Sequence, residues 1–200
     1  METINAWDFD NQLVIREIDT YPQPAYKDLV AESLNAHPFL LWQESLGRSD
    51  TAKLQDLKSR QANLFKLRLG VFKGDELVAA CFTSQSSHFE VMMNLSFVRP
   101  EFRGRGIYSA LVSKTLELTK LAGFQSVLSY HLMTNNPVLI AKLKLGFTIY
   151  GFESHAVHGT LLKMAYHHNE LINRSQKFRA GQLFSMTEEE LVENYGAPVV

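Results

Sequence analysis

Along this chain the hydrophobic and polar positions change period several times, and each change marks an element. Residues 12–18 alternate, with Leu13 and Ile15 against Val14 and Arg16, which predicts a strand. Tyr21-Pro22-Gln23-Pro24 breaks it. Leu29, Val30 and Leu34 then recur at helical spacing and predict a helix over 26–35, closing near Asn35 and Pro38. Leu54 and Leu57, three apart among polar neighbours, predict a second short helix over 51–61. Between the two lies His37-Pro38-Phe39-Leu40-Leu41-Trp42, apolar without a period, which reads as core or as a lid.

From residue 64 the period returns to two. Strands are predicted over 64–72 and 77–83, joined by the turn residues Lys73-Gly74-Asp75-Glu76, and a longer, more apolar one over 89–98 ends at Pro100. These three form an antiparallel meander with the last strand central. Beyond it, Ile107, Leu111, Leu118 and Leu121 define one face of a helix over 106–121, closed by Gly123. A strand follows over 126–132, then a helix from 135 to 145 with Pro137 in its first turn, then strands over 147–154 and 160–167. The remaining residues, 168–200, are more polar. Thr187-Glu188-Glu189-Glu190 is a capping-box pattern that opens a short helix to about residue 194.

Composition narrows the classes of function. In 200 residues there are 20 Lys+Arg against 21 Asp+Glu, a formal charge of -1, which argues against bulk binding to nucleic acid or an anionic membrane. The one cysteine, Cys81, leaves no internal disulfide and no Cys-rich zinc site, and it reads as a small core residue. The acidic start METINAWDFDNQ does not read as a signal peptide. No stretch approaches the ~18 apolar residues of a membrane span. The seven histidines include no helical i, i+4 pair of the zinc-protease kind, so no metal is expected. These features fit a cytoplasmic chain. Without a repeat or a low-complexity linker, they fit one domain over 1–167 with a C-terminal extension over 168–200.

The stretch that carries chemistry is Val98-Arg99-Pro100-Glu101-Phe102-Arg103-Gly104-Arg105-Gly106-Ile107-Tyr108. A buried strand ends, two glycines permit close backbone approach, and an amphipathic helix begins at once. Successive N–H groups backed by a helix dipole suit a diphosphate, and Arg103 and Arg105 add positive charge at the rim. The same glycines would also serve a merely tight turn. The loop is neither a Walker loop nor a Gly-x-Gly-x-x-Gly fingerprint.

Arg103-x-x-Gly106-x-Tyr108 resembles the Arg/Gln-x-x-Gly-x-Gly/Ala motif of the GNAT superfamily of acyl-CoA-dependent N-acetyltransferases, except at its last place. The second motif of that family, an Asn, then a helix, then Gly-Phe, has its counterpart in Asn135 through Gly146-Phe147. The resemblance covers about residues 13–167 and is strongest from Val98 to Phe147. It implies a mixed α/β (α+β) fold, with a mostly antiparallel central sheet of six to seven strands flanked by helices and splayed between the fourth and fifth strands. It also implies acetyl-CoA as co-substrate and an amine acceptor. The backbone at Phe97 and Val98 would hold the pantetheine arm, the N–H groups of Arg103, Gly104, Arg105, Gly106, Ile107 and Tyr108 the diphosphate, and Asn135 would contact CoA. A homodimer is compatible with this reading.

The departures from the pattern bear on catalysis. Tyr108 replaces a small residue at the helix start, where it would pack against CoA or against the sheet. Lys142 stands where the family carries a Tyr that protonates the departing thiolate, so it is either a substitute for that acid or a solvated charge. Tyr130 and Tyr150 are alternative acids. On the central strand Glu90, Met92 and Asn94 share a face by alternation, which makes Glu90 a candidate base acting through water. His88 reads as part of a turn, and His131 ends the fifth strand near the cleft. The expected activity is acetyl transfer to a primary amine of a small acceptor, by direct attack in a ternary complex. The alternative is a non-catalytic acyl-CoA-binding or sensory module on the same fold.

Overall fold

A computed structural model describes residues 1–33, 51–155, 158–181, 183, 185–187 and 189–190. The strands are β1 (Thr3–Asp8), β2 (Leu13–Ile18), β3 (Lys66–Lys73), β4 (Glu76–Gln85), β5 (Glu90–Val98), β6 (Ser126–Leu132), β7 (Thr148–His155) and β8 (Gly159–His167). The helices are α1 (Ala25–Ser33), α2 (Thr51–Arg60), α3 (Ile107–Leu121), α4 (Asn136–Lys144) and α5 (Glu170–Arg179). All eight strands form one sheet in the order β1-β2-β3-β4-β5-β6-β8-β7. Every neighbouring pair is antiparallel except β5 and β6, which run parallel because α3 carries the chain back over the sheet.

The sheet has one strand more than the sequence predicts. Residues 3–8 are largely exposed, so they carry no apolar alternation to reveal a strand, yet they pair with β2 as the sheet edge. The turn between these strands is set by Asp10, whose Oδ1 accepts the N–H groups of Gln12 and Leu13 at 2.8 Å each. The polar tail likewise contains an unpredicted helix, α5. Asn169 caps it, with Oδ1 accepting the N–H of Ile172 at 3.1 Å. The predicted capping box is present: Thr187 N donates to Glu190 Oε2 at 2.8 Å, and Glu190 N donates to Thr187 Oγ1 at 3.2 Å. Residues 34–50 and 191–200, with the apolar stretch 37–42 and the rest of the last predicted helix, lie outside the described residues.

Two cores cover opposite faces of the sheet. The larger joins Leu13, Leu69, Val71, Val91 and Met93 of the strands to Ile107, Leu111 and Val112 of α3 and Leu139 of α4. The smaller packs Leu29 of α1 against Phe72, Leu77, Ala80 and Phe97. Strand β5 contributes to both. Val91 and Met93 belong to the larger core, whereas Leu95 and Phe97 belong to the smaller, although all four are odd-numbered. A bulge accounts for the switch. Thr83 pairs with Met93 and Phe82 with Leu95, so Asn94 is an extra residue in β5 that reverses the alternation.

Candidate functional site

The parallel pairing of β5 with β6 covers Glu90↔Ser126 to Met93↔Ser129 and stops where the bulge begins. From Leu95 to Val98 the β5 backbone is paired on its β4 side only. A wedge therefore opens between the two strands, and its mouth is closed by the loop that leads into α3. A cavity of about 570 Å³ runs from Ser96, Phe97 and Val98 along this loop, with Asn135 and Val138 of the α4 region on its other wall. A second cavity of about 150 Å³ lies deeper in the wedge, lined by Asn94, Tyr130, His131 and Lys142, and it shares Ser96, Phe97, Tyr108, Asn135 and Val138 with the first.

The loop at the cleft mouth is built by backbone conformation. Gly104 and Gly106 have φ of +76° and +79°, in the left-handed region that favours glycine. Gly106 is the residue before α3 and makes no side-chain cap. The first intrahelical bond runs from Ala110 N to Gly106 O at 3.0 Å, so helix geometry leaves the N–H groups of Ile107, Tyr108 and Ser109 for another acceptor. Those residues line the cleft. Two arginines flank it. Arg103 donates from Nε to Val98 O at 3.1 Å, and Arg105 pairs with Asp10 at 3.2 Å and stacks over the Phe102 ring. The N-terminal hairpin thus touches the loop directly.

The deeper cavity is built by side chains. Lys142 is fully buried rather than solvated. Its Nζ lies 2.8 Å from Met93 Sδ and 3.9 Å from the centroid of the Phe147 ring. Burial lowers its pKa from the ordinary lysine value to about 7. His131 is held at about 4, first by burial and then by the charge of Lys142, and shares a hydrogen bond of 3.1 Å between Nε2 and Ser129 Oγ. The hydroxyl of Tyr108 is buried and has no partner among the described residues, and burial raises its pKa.

The candidate residues divide between these cavities and a third place. Phe97, Val98, Arg103, Gly104, Gly106, Ile107, Tyr108 and Asn135 line the cleft; Tyr130 and Lys142 line the deeper cavity. Arg105 stands at the rim in its pair with Asp10. Glu90 lines neither cavity. It lies four residues before Asn94, about 13 Å along the strand, and accepts a hydrogen bond from Ser87 Oγ at 3.3 Å. Across the sheet, Tyr130 faces Lys163 in the β6–β8 register, and Lys163 pairs with Glu153 at 2.8 Å. Tyr150 bonds to Tyr130, and its pKa is raised first by burial and then by that bond. His131, expected near the cleft at the end of its strand, lines the deeper cavity, whereas Asp10 is a residue that the sequence did not single out for its place. No repeat or spacing marks Asp10, because the hairpin of β1 and β2 delivers it to the loop.

A parallel pair that splays at a bulge, with a glycine loop and helix start at its mouth, is a family-specific arrangement, and the family comparison agrees. The model of the Acetyltransferase (GNAT) family matches residues 27–147, more than half of the chain. The chain belongs to the GNAT acetyltransferase family. Solved GNAT structures share its fold. The PaiA N-acetyltransferase of Thermoplasma acidophilum in complex with coenzyme A is 16% identical, with a TM-score of 0.59 over 78% of this chain and 99% of that one. The ribosomal-protein-S18-alanine N-acetyltransferase of Escherichia coli is 14% identical, with a TM-score of 0.58 over 78% and 93%. A GNAT acetyltransferase of Elizabethkingia anophelis with acetyl-CoA bound is 11% identical, with a TM-score of 0.58 over 79% and 99%. No curated protein matches the sequence. Among the described residues, no helix is long and apolar enough to cross a membrane, and no group of three or more His, Cys, Asp or Glu could hold a metal ion.

Proposed function

We propose that this GNAT protein is an N-acetyltransferase that moves an acetyl group from acetyl-CoA to a primary amine of a small acceptor in the cytoplasm. The observation that carries this reading is the continuity of the cleft, which runs from the helix start of α3 to the unpaired edge of β5. A diphosphate would accept the N–H groups at the start of α3, and the pantetheine arm would lie as an extra strand along Leu95–Val98. The thioester then reaches the deeper cavity. The amine nitrogen forms a bond to the carbonyl carbon and the C–S bond breaks. The proton lost by the amine leaves through water towards Glu90, and Tyr130 returns one to the sulfur. In its ammonium form Lys142 stabilises the thiolate, a charge contribution that is large in a site shielded from water.

A thermal-shift titration with acetyl-CoA tests the binding step. Donor at a hundred times its dissociation constant should add about 2.7 kcal/mol of stability, and an unchanged Tm would remove the reading. A panel of amines, polyamines, amino acids and peptides, followed by thiol release, tests transfer. Two observations favour a second reading, a non-catalytic acyl-CoA-binding module: Glu90 stands outside both cavities, and a lysine replaces the expected tyrosine. Turnover on any acceptor in the panel excludes it.

A further inference from the structure

The deeper cavity carries a combination that an acetyl group, which has no charge of its own, does not match. It shares Ser96, Phe97 and Tyr108 with the cleft, so it lies at the reactive end of an arm bound there. Among the described residues no Asp or Glu lines either cavity, whereas Lys142 and His131 both line the deeper one. Lys142 is wholly buried, with a thioether as its hydrogen-bond partner, and no carboxylate pairs with it among the described residues. A buried ammonium without a counter-ion is costly. A ligand that brings the counter-ion removes that cost. A free amine acceptor is the wrong charge for this place, and the carboxylates nearest Tyr130 along the sheet, Glu90 and Glu153, stand outside the cavity.

We propose, on the basis of the acyl-CoA reading above, that the deeper cavity is an acyl-chain subsite for a short donor ending in a carboxylate, a dicarboxylic acid monothioester such as succinyl-CoA, whose free carboxylate pairs with Lys142. His131, neutral and bonded to Ser129 through Nε2, adds a ring nitrogen to the same cavity. The donor carboxylate is unchanged by transfer. The amine nitrogen bonds to the thioester carbon, the C–S bond breaks, and the proton lost by the amine ends on the CoA sulfur. With this donor Lys142 is engaged by the acyl chain, and Tyr130 alone serves the sulfur.

Calorimetric titration of the full chain with acetyl-, butyryl- and succinyl-CoA tests the subsite. The last two have chains of equal length and differ in a terminal methyl against a carboxylate. Succinyl-CoA should bind at least about tenfold more tightly than butyryl-CoA at pH 7, and Lys142→Met should abolish the difference. The wild-type protein supplies a second readout that needs no variant. Lys142 titrates near 7 in the free protein, so at pH 8 it is mostly neutral, and pairing with a carboxylate returns its proton. Titrations in two buffers of different ionisation enthalpy should show uptake approaching one proton with succinyl-CoA and none with butyryl-CoA. Equal or weaker binding of succinyl-CoA, a preference that survives Lys142→Met, or equal proton uptake would overturn the subsite. Failure of all three donors to bind would remove the acyl-CoA reading itself.

Discussion

The cleft mouth and the deeper cavity both adjoin β5, yet they present positive charge by opposite means. At the mouth, the groups without an intrahelical acceptor are backbone N–H donors that follow Gly104 and Gly106, and the arginines beside them are already engaged, Arg103 by Val98 O and Arg105 by Asp10. In the deeper cavity the donors are side chains, and the principal one, Lys142, is buried beside a thioether and a phenyl ring. A backbone site keeps its partial charges at every pH and costs little in desolvation. A buried lysine carries its charge only when the surroundings or a ligand make that favourable.

The strongest test of the mouth is Gly106→Val. A β-branched residue at φ +79° is strained in any surroundings, and the rearranged loop should lose more than about 100-fold in CoA affinity by calorimetry, roughly 2.7 kcal/mol. Circular dichroism should still report a folded sheet. Retained affinity would show that the loop does not hold the diphosphate.

For the deeper cavity the contrast predicts a gain on deletion. The folded-state pKa of Lys142, about 7, lies below its ordinary value of 10.5. The unfolded chain therefore binds more protons between these values, and stability rises with pH across that window. Lys142→Met should raise Tm at pH 6 by several degrees, on the order of a few kcal/mol at roughly 2–4 °C for each. The gain should shrink steadily between pH 7 and pH 10. A variant less stable at every pH would mean that Lys142 is satisfied as it stands.

Between the two regions stands Tyr108. Its buried, unpartnered hydroxyl should make Tyr108→Phe neutral or stabilising by about 1 kcal/mol, read as a small rise in Tm; a clear fall would reveal a bound water on that oxygen. Smallest of all is Asp10→Asn, which keeps an oxygen for the N–H groups of Gln12 and Leu13 and removes only the charge that faces Arg105. The pair with Arg105 is exposed, so Tm should stay within error and CoA affinity should change by less than about twofold. A larger loss would move Arg105 from the rim into the recognition of the phosphates.

The same contrast explains what could be read from the chain. Gly104 and Gly106 need left-handed backbone, and a strand must end and a helix begin around them, so the mouth was legible as spacing. The core strands were legible too, because β3 and β4 are largely buried apolar runs and β5 alternates as far as Met93. Strand β1 was not, since an exposed edge has no apolar period to keep. The deeper cavity escaped for another reason. Alternation counted from Glu90 cannot foresee that Asn94 adds a residue and reverses the faces beyond it. Nor does the polar appearance of Lys142 in α4 disclose that its side chain is buried, with Nζ against Met93 and Phe147. Helix α5 was hidden in a polar tail whose one start signal, Asn169 before Glu170, is brief.

The bulge at Asn94 has a mechanical consequence. It leaves β5 and β6 joined by four residue pairs, Glu90↔Ser126 to Met93↔Ser129, in a sheet whose other ladders are longer. The line between those strands is a seam, and a chain laid along Leu95–Val98 would rivet it. Amide hydrogens along that edge should exchange with solvent quickly in the free protein and slowly once the seam is filled. A pulling force applied across the sheet should part it there first.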